Sequence, residues 1–372
     1  VLTDGRYAAC TMDRNGLRPA RYVISRDRII TLASEIGVTD VEPHNVLRKG
    51  RLGPGDMLAV DTHTGELLMP EAIESRLKQE RPYLEWLEKE SRHLHAPWCD
   101  DDEPRLGDEA LQVYRKAFDV SREEMEQVIR TLAEDSQEGS GSMGDDTPLP
   151  VMSRRTRSLY DYFRQQFAQV TNPPIDPLRE KWVMSLKTCI GSEQNIFVED
   201  AAHARRIVLA SPVLSPGEFR QLLMLEGEAY RHERIDLNVA TDISLSAAIR
   251  NICYQAERAI WSGATLLVLS DRQLGPDRLT VPAALATGAV HHHLVNTGLR
   301  CRSNILVETG TTRNPHEFAV LIGFGATAVY PYLAYQCAAQ VADWSCLLYT
   351  SVAADDIRGV GWWGGGGGGG GG

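Results

Sequence analysis

The chain has 372 residues, with 39 Lys and Arg against 50 Asp and Glu, giving a formal net charge of −11. An acidic chain with both signs interspersed is a poor partner for nucleic acid or an anionic membrane, and no apolar run approaches the length of a bilayer span. The seven cysteines are dispersed, with no C-x-x-C pair, so they offer no zinc or iron–sulfur ligand set and fit reduced thiols in a cytoplasmic protein.

Residues 1–70 read as β-rich. Arg6–Met12 is an expected strand, and Asp13-Arg14-Asn15-Gly16 an expected turn, with Asn-Gly tolerating positive φ. Arg21–Ser25 and Ile29–Leu32 form a second expected hairpin, and Met57–Asp61 with Glu66–Leu68 a third. Short strands at this spacing predict antiparallel sheets. Residues 71–150 are polar and mostly helical in pattern. Ser121 followed by Glu124 is a capping box, and Met125, Val128, Ile129 and Leu132 form the apolar stripe of the helix it opens, to Ala133. Glu134–Thr147, rich in Gly, Ser, Asp and Glu, reads as a loop.

From Val151 the texture becomes α/β. Leu159, Phe163, Phe167 and Val170 recur at helical spacing, and Pro173-Pro174 ends that expected helix. Asp176 is a natural N-cap for a second helix, with Pro177 at its first position. A helix is expected over Leu245–Ser262, closed by Gly263, and then an apolar strand over Thr265–Ser270. Further expected elements are a helix over Pro282–Thr297, a strand over Asn304–Thr309, a helix over Pro315–Ile322 and a strand over Ala326–Tyr330. Alternation of strand and helix predicts a parallel sheet with right-handed crossovers, in a partial-barrel-like arrangement.

Several runs carry a family resemblance: DRNGLRPARYV at Asp13–Val23, LASEIG at Leu32–Gly37, GSMGDDTPL at Gly141–Leu149, DYFRQQFAQVTNPPIDPLRE at Asp161–Glu180, LLVLSDR at Leu266–Arg272 and GFGATAVYPYLAYQ at Gly323–Gln336. In this order they resemble the large subunit of the glutamate synthase family. D-R-N-G-L-R-P and A-S-E resemble class II glutamine amidotransferase signatures. The resemblance implies the β-rich end of an N-terminal-nucleophile hydrolase domain, followed by an incomplete α/β central domain. It implies an enzyme that releases ammonia from glutamine, channels it internally, adds it to 2-oxoglutarate and reduces the product with FMN. A 3Fe-4S cluster and either ferredoxin or a small NADPH-oxidising subunit go with the family, as do upstream amidotransferase and downstream FMN domains. Two alternatives stand beside this reading: an amidotransferase segment of another pathway, and a free-standing α/β binding module.

No catalytic residue is expected within the chain. Class II amidotransferases use an N-terminal cysteine whose own α-amine is the base. Here Val1 stands first and Cys10 lies mid-strand, so the fragment alone is expected to be inactive. Arg14, Asn15, Arg18 and Arg21 are candidates for a surface near the glutamine site. Thr171, Asn172 and Ile175 are candidates for the wall of an ammonia passage, because two prolines hold the adjoining backbone stiffly. No FMN or metal is expected to bind this segment. Gly323-Phe324-Gly325-Ala326 precedes a strand instead of following one, and consecutive His291, His292 and His293 on a helix point about 100° apart. The carboxyl ends of the strands, at Ser270-Asp271-Arg272, Glu308-Thr309-Gly310 and Tyr330-Pro331, read as remnants or partner-facing surfaces.

The expected organisation is an amidotransferase portion at 1–70, a helical connecting segment at 71–150, a central domain at 151–345 and a non-native tail at 346–372. Cys346-Leu-Leu-Tyr-Thr-Ser translates like a sequencing-library adapter, and the chain ends in a glycine run, so this tail is set aside from the fold.

Overall fold

The computed structural model describes residues 1–14, 16–94, 105–135, 137, 151–154, 156–164, 175, 177–225 and 230–341, without the side chains of 177 and 178. Asn15, Gly141–Leu149, Phe167, Val170, Thr171, Asn172, Asp176 and the tail Cys346–Gly372 lie outside the described residues. The chain divides into two units, Val1–Lys89 and Glu90–Gly372.

In the first unit the strands are β1 (Leu2–Thr3), β2 (Tyr7–Thr11), β3 (Arg21–Ser25), β4 (Ile30–Ala33), β5 (Val46–Arg51), β6 (Met57–Asp61) and β7 (Glu66–Leu68). Helices α1 (Pro70–Glu80) and α2 (Tyr83–Glu90) follow. One antiparallel sheet has the order β1-β2-β6-β7 and the other β4-β3-β5. Strand alternation explains how they pack. Cys10 and Leu58 on one sheet meet Tyr22 and Ile24 on the other, while Ala9, Ala59 and Leu68 turn the opposite way towards Ile73 of α1. Asp13–Gly16 is the expected turn, closed by the Gly16 N–H on the Asp13 carbonyl at 3.0 Å, with Gly16 at φ +63°.

The second unit opens with β8 (Arg92–His93), α3 (Asp108–Ala117), α4 (Arg122–Glu124), a π-helical turn over Met125–Ile129 and α5 (Arg130–Asp135). Ser121 caps this helical run by accepting from the Glu124 N–H at 3.0 Å. The Glu124 side chain does not complete the box; it turns instead to Arg313. A 3-10 turn over Leu159–Tyr162 comes next, with Phe163 extended at φ −100° and ψ 130°. The α-helix expected from Leu159 is therefore corrected: the helical turn stops before Phe163. Tyr160, a polar-tipped residue that the pattern left out of the apolar face, is the buried one. Then come α6 (Pro177–Val183), which begins at Pro177 as expected, β9 (Thr188–Ile190), β10 (Ile207–Leu209) and α7 (Pro216–Leu223). The α7 capping box is complete, with Ser215 Oγ accepting from the Glu218 N–H at 3.1 Å and Glu218 Oε2 accepting from the Ser215 N–H at 2.9 Å. Because Ser215 is fully buried, no water replaces the lost acceptor, and Ser215→Ala is expected to lower stability by about 1–2 kcal/mol in urea unfolding.

The remaining elements are β11 (His232–Asp236), β12 (Asn238–Ala240), α8 (Leu245–Trp261), β13 (Leu266–Ser270), β14 (Arg278–Thr280), α9 (Ala283–Asn296), β15 (Asn304–Glu308), α10 (Pro315–Gly323), β16 (Ala328–Tyr330) and α11 (Tyr332–Val341). The central sheet is parallel throughout, in the order β11-β13-β15-β16. Sequential parallel strands joined through helices are the topology of a barrel segment. Ile235, Leu267, Leu269, Ile305, Val307 and Val329 face a core shared with α8, α9 and α10. Leu266, Val268, Leu306, Ala328 and Tyr330 face the opposite side, packed by α3, the π turn, α7 and α11. With both faces covered, β13 and β15 are buried along their whole length, which is why their sequences run apolar without alternation.

Candidate functional site

Parallel strands deliver their last residues to one edge, and here that edge is polar and closed to water. Ser270, Glu308 and Tyr330 are register partners across β13, β15 and β16. Glu308 is fully buried, and its carboxylate accepts from Ser270 Oγ at 2.6 Å and from Arg272 Nη1 at 3.2 Å. Arg234 Nη2 of β11 lies 3.3 Å from Oε2, the oxygen that Ser270 also holds. Two guanidinium groups and a hydroxyl offset the several kcal/mol that burying a carboxylate costs. The Arg272 guanidinium is held in turn over the Tyr332 ring, 5.1 Å from its centroid, while the Tyr114 hydroxyl donates to the Arg272 carbonyl at 2.6 Å.

Asp271, one residue past β13, is fully buried. It accepts from Thr309 Oγ1 at 2.5 Å and from the Gly310 N–H at 3.0 Å. Burial pushes its pKa up to about 7; the Thr309 and Gly310 hydrogen bonds only partly counter this, and the Glu308 charge reinforces it. The buried Tyr332 hydroxyl acts on the same carboxyl without an aligned hydrogen bond. A second buried carboxyl, Glu317, accepts from the Arg313 N–H at 2.6 Å and the Asn314 N–H at 3.2 Å at the start of α10. Desolvation also raises it to about 7, against the opposing pull of Arg313. Burial thus pushes both carboxyls towards neutrality.

These residues do not fit a flavin phosphate. At this edge the Gly310 N–H is already taken by Asp271, and a Cβ there would lie 2.8 Å from Phe118 Cδ2, so the space above it is filled. Buried carboxylates at the same edge would repel an anion. Nor do Asp271, Glu308 and Thr309 face a partner, one of the two readings the sequence offered, since all three are at 0% exposure. An acidic residue directly after a fully apolar strand was the available signal, since such a residue is buried only with partners.

The other sequence candidates fall elsewhere. Cys10 is a buried residue of β2, paired in register with Leu58. Arg14 and Arg18 are exposed in the first unit, and Ile175 is half-buried two residues before α6. His293 Nε2 lies 2.7 Å from Glu257 Oε2, while His291 Nδ1 accepts from Arg300 Nε at 3.1 Å and meets the exposed His292 ring edge-on at 5.3 Å. Among the described residues no group of three or more His, Cys, Asp or Glu could hold a metal ion, and no helix is long and apolar enough to cross a membrane.

A parallel α/β unit preceded by paired antiparallel sheets matches known sequence profiles in two places. The profile of the glutamate synthase central domain covers residues 113–357, and that of the class-II glutamine amidotransferases covers residues 1–86. The chain thus belongs to the glutamate synthase family, carrying central-domain sequence behind an amidotransferase portion. It is 42% identical over 341 residues to the ferredoxin-dependent glutamate synthase of Pyropia yezoensis, covering 91% of this chain and 22% of that protein. It is 40% identical to the glutamate synthase [NADPH] large chain of Bacillus subtilis (strain 168), over 92% of this chain and 22% of that one. Against the corresponding large chain of Azospirillum brasilense the identity is 42%, over 91% of this chain and 23% of the relative. The chain therefore spans between a fifth and a quarter of these relatives. A solved mutant flavocytochrome b2 with pyruvate bound matches at 19% identity over 28% of this chain and 27% of that chain, with a TM-score of 0.22, too slight a likeness to bear on the fold.

Proposed function

We propose that this chain serves as the connecting body of a glutamate synthase large subunit, between glutamine hydrolysis and reductive glutamate synthesis. The whole enzyme converts glutamine and 2-oxoglutarate into two glutamates by internal ammonia transfer and FMN-dependent reduction. The supporting observation is that identity of 40–42% to such large chains runs over 91–92% of this sequence. In this reading FMN and the 3Fe-4S cluster belong to other parts of the polypeptide, which are this segment's first partners. Electrons come from ferredoxin or a small NADPH-oxidising subunit. Neither nucleic acid nor membrane is a partner, and dispersed thiols suit a cytoplasmic enzyme.

The contribution of this chain is scaffold and wall. Thr171, Asn172 and Ile175 line the ammonia passage, and Arg14, Asn15 and Arg18 lie near the glutamine site. Ammonia that meets bulk water is protonated and lost, so a narrow wall held by Pro173 and Pro174 keeps the two half-reactions coupled. In the complete enzyme, Asn172→Leu is expected to cut glutamine-dependent synthesis about tenfold while synthesis from added ammonium stays near its original rate, a loss of about 1.4 kcal/mol in one half-reaction alone. Equal losses in both assays, or in neither, would assign Asn172 to a structural corner.

A further inference from the structure

Four side chains from three parts of the second unit meet end to end. The Tyr160 hydroxyl lies 3.1 Å from Thr311 Oγ1. Thr311 Oγ1 lies 2.8 Å from Thr309 Oγ1, and Thr309 Oγ1 donates to Asp271 Oδ2 at 2.5 Å. Each link is within hydrogen-bond range; Tyr160, Thr309 and Asp271 are buried, and Thr311 is half-buried. We propose that Tyr160, Thr311, Thr309 and Asp271 form a proton relay, with Asp271 as its store and Tyr160 as its far terminus.

The direction of the chain follows from valence. An ionised carboxylate only accepts, so Thr309 donates to it, Thr311 donates to Thr309 and Tyr160 donates to Thr311. A proton entering at the Tyr160 oxygen moves each hydroxyl proton one place along and leaves Asp271 as the carboxylic acid. In that state Asp271 donates, and the line runs in reverse. The donor that fits is a small protonated base, which under the function proposed above is ammonium. Ammonium plus carboxylate gives ammonia plus carboxylic acid, and no electron changes hands.

The titratable and charged groups around the line are few. Glu308 of β15, Arg272 and Tyr332 of α11 surround Asp271, with Tyr114 of α3 beyond Tyr332. Thr312 and Glu317 face the Tyr160 end, and His316 Nε2 lies 3.0 Å from the Tyr160 carbonyl. The Asp271 pKa of about 7 lets the store fill and empty near neutrality.

The test uses the 372-residue chain carrying tyrosine labelled with carbon-13 at Cζ, the Tyr160 signal being assigned by Tyr160→Phe. That signal is expected to shift with a midpoint near pH 7, together with loss of a carboxylic-acid infrared band that Asp271→Asn removes. Thr309→Val keeps the side-chain shape but breaks the line. It should leave the infrared titration in place and flatten the Tyr160 signal, and Thr311→Val should do the same. A Tyr160 signal flat in the unmodified chain, or still titrating in both valine variants, would overturn the relay. In the complete enzyme, Thr309→Val should also remove the limb near pH 7 from glutamine-dependent synthesis, and an unchanged profile would overturn the assignment of ammonium as donor. If the unmodified complete enzyme made no glutamate from glutamine, the proposed function would fail while the tyrosine signal still judged the relay.

Discussion

Replacing Arg313 with leucine is expected to cost the second unit about 3–5 kcal/mol, the range for stranding a buried charge by removing its partner. Arg313 has 9% of its side chain exposed, and Nε donates to Glu124 Oε1 at 2.5 Å. Its Nη1 donates to the Gly310 carbonyl at 3.0 Å. Burial works against its charge, yet the Glu317 and Glu124 carboxylates hold its pKa above the ordinary arginine value. Without the guanidinium, Glu124 loses its partner at 20% exposure and the Gly310 carbonyl loses its donor. The double variant Arg313→Leu, Glu124→Leu should be less destabilised than the sum of the single variants, because Glu124 is then not left without its partner. Urea unfolding followed by circular dichroism measures both; a loss under 1 kcal/mol for Arg313→Leu would show that the pair is slack.

Stability should fall as pH rises from about 4 to about 7. The cause is the raised pKa of two buried carboxyls, Asp271 and Glu317, each at about 7 against ordinary values of 3.8 and 4.5. Between those limits the folded chain holds protons that the unfolded chain has released, so each added pH unit favours unfolding. The stabilisation is complete below the unfolded values and gone above about 7, and amounts to a few kcal/mol per group at one pKa unit per ~1.4 kcal/mol. His291 works in the opposite sense. Burial, with help from Arg300 and His292, lowers its pKa below 6.5, so its contribution is lost as pH falls through the folded value. Asp271→Asn should therefore flatten the decline towards pH 7, with a gain relative to the parent at pH 8 and a deficit at pH 5. Parallel profiles for parent and variant across that range would mean that Asp271 is not the group responsible.

The elements that sequence resolved were those with their own punctuation. Helix α8 begins after Ser244, whose hydroxyl accepts from the Ala247 N–H at 3.4 Å, and ends before Gly263 at φ +91°. Its expected and observed spans differ by one residue. Strand β13 announces itself by unbroken apolar residues. By contrast, β11 reads His-Glu-Arg-Ile-Asp, and only Ile235 is buried, so its place in the sheet depends on pairing with β13 and not on its own pattern. Helix α11 follows Pro331 with mixed small and aromatic residues, and its position was missed for the same reason. Around Tyr160 local preference lost to tertiary bonding, since Thr311 and His316 both take hold of that residue. The buried strand-end carboxyls were visible as residues but not as a site, because what distinguishes them is the partners that the crossovers bring from as far along the chain as Arg234.

The π turn over Met125–Ile129 leaves a mark on what this helix can tolerate. A wide turn accommodates one residue more than an α-helix of the same length. Met125, Ile129 and Ala133 are all buried and stand four apart, a spacing that keeps one face inward when the winding is loosened. Tightened to about 3.6 residues per turn, the same spacing would creep around the axis. An insertion once absorbed here would explain the loosened winding: the surplus residue is stored as extra girth, and the buried ridge continues through it unbroken. Excising a single residue between Glu126 and Val128 would draw in that girth and return the turn to α winding, with Ala133 still facing inward. A one-residue change is thus expected to be tolerated at this turn and rejected elsewhere in the helix, where it would turn the buried ridge by about 100°.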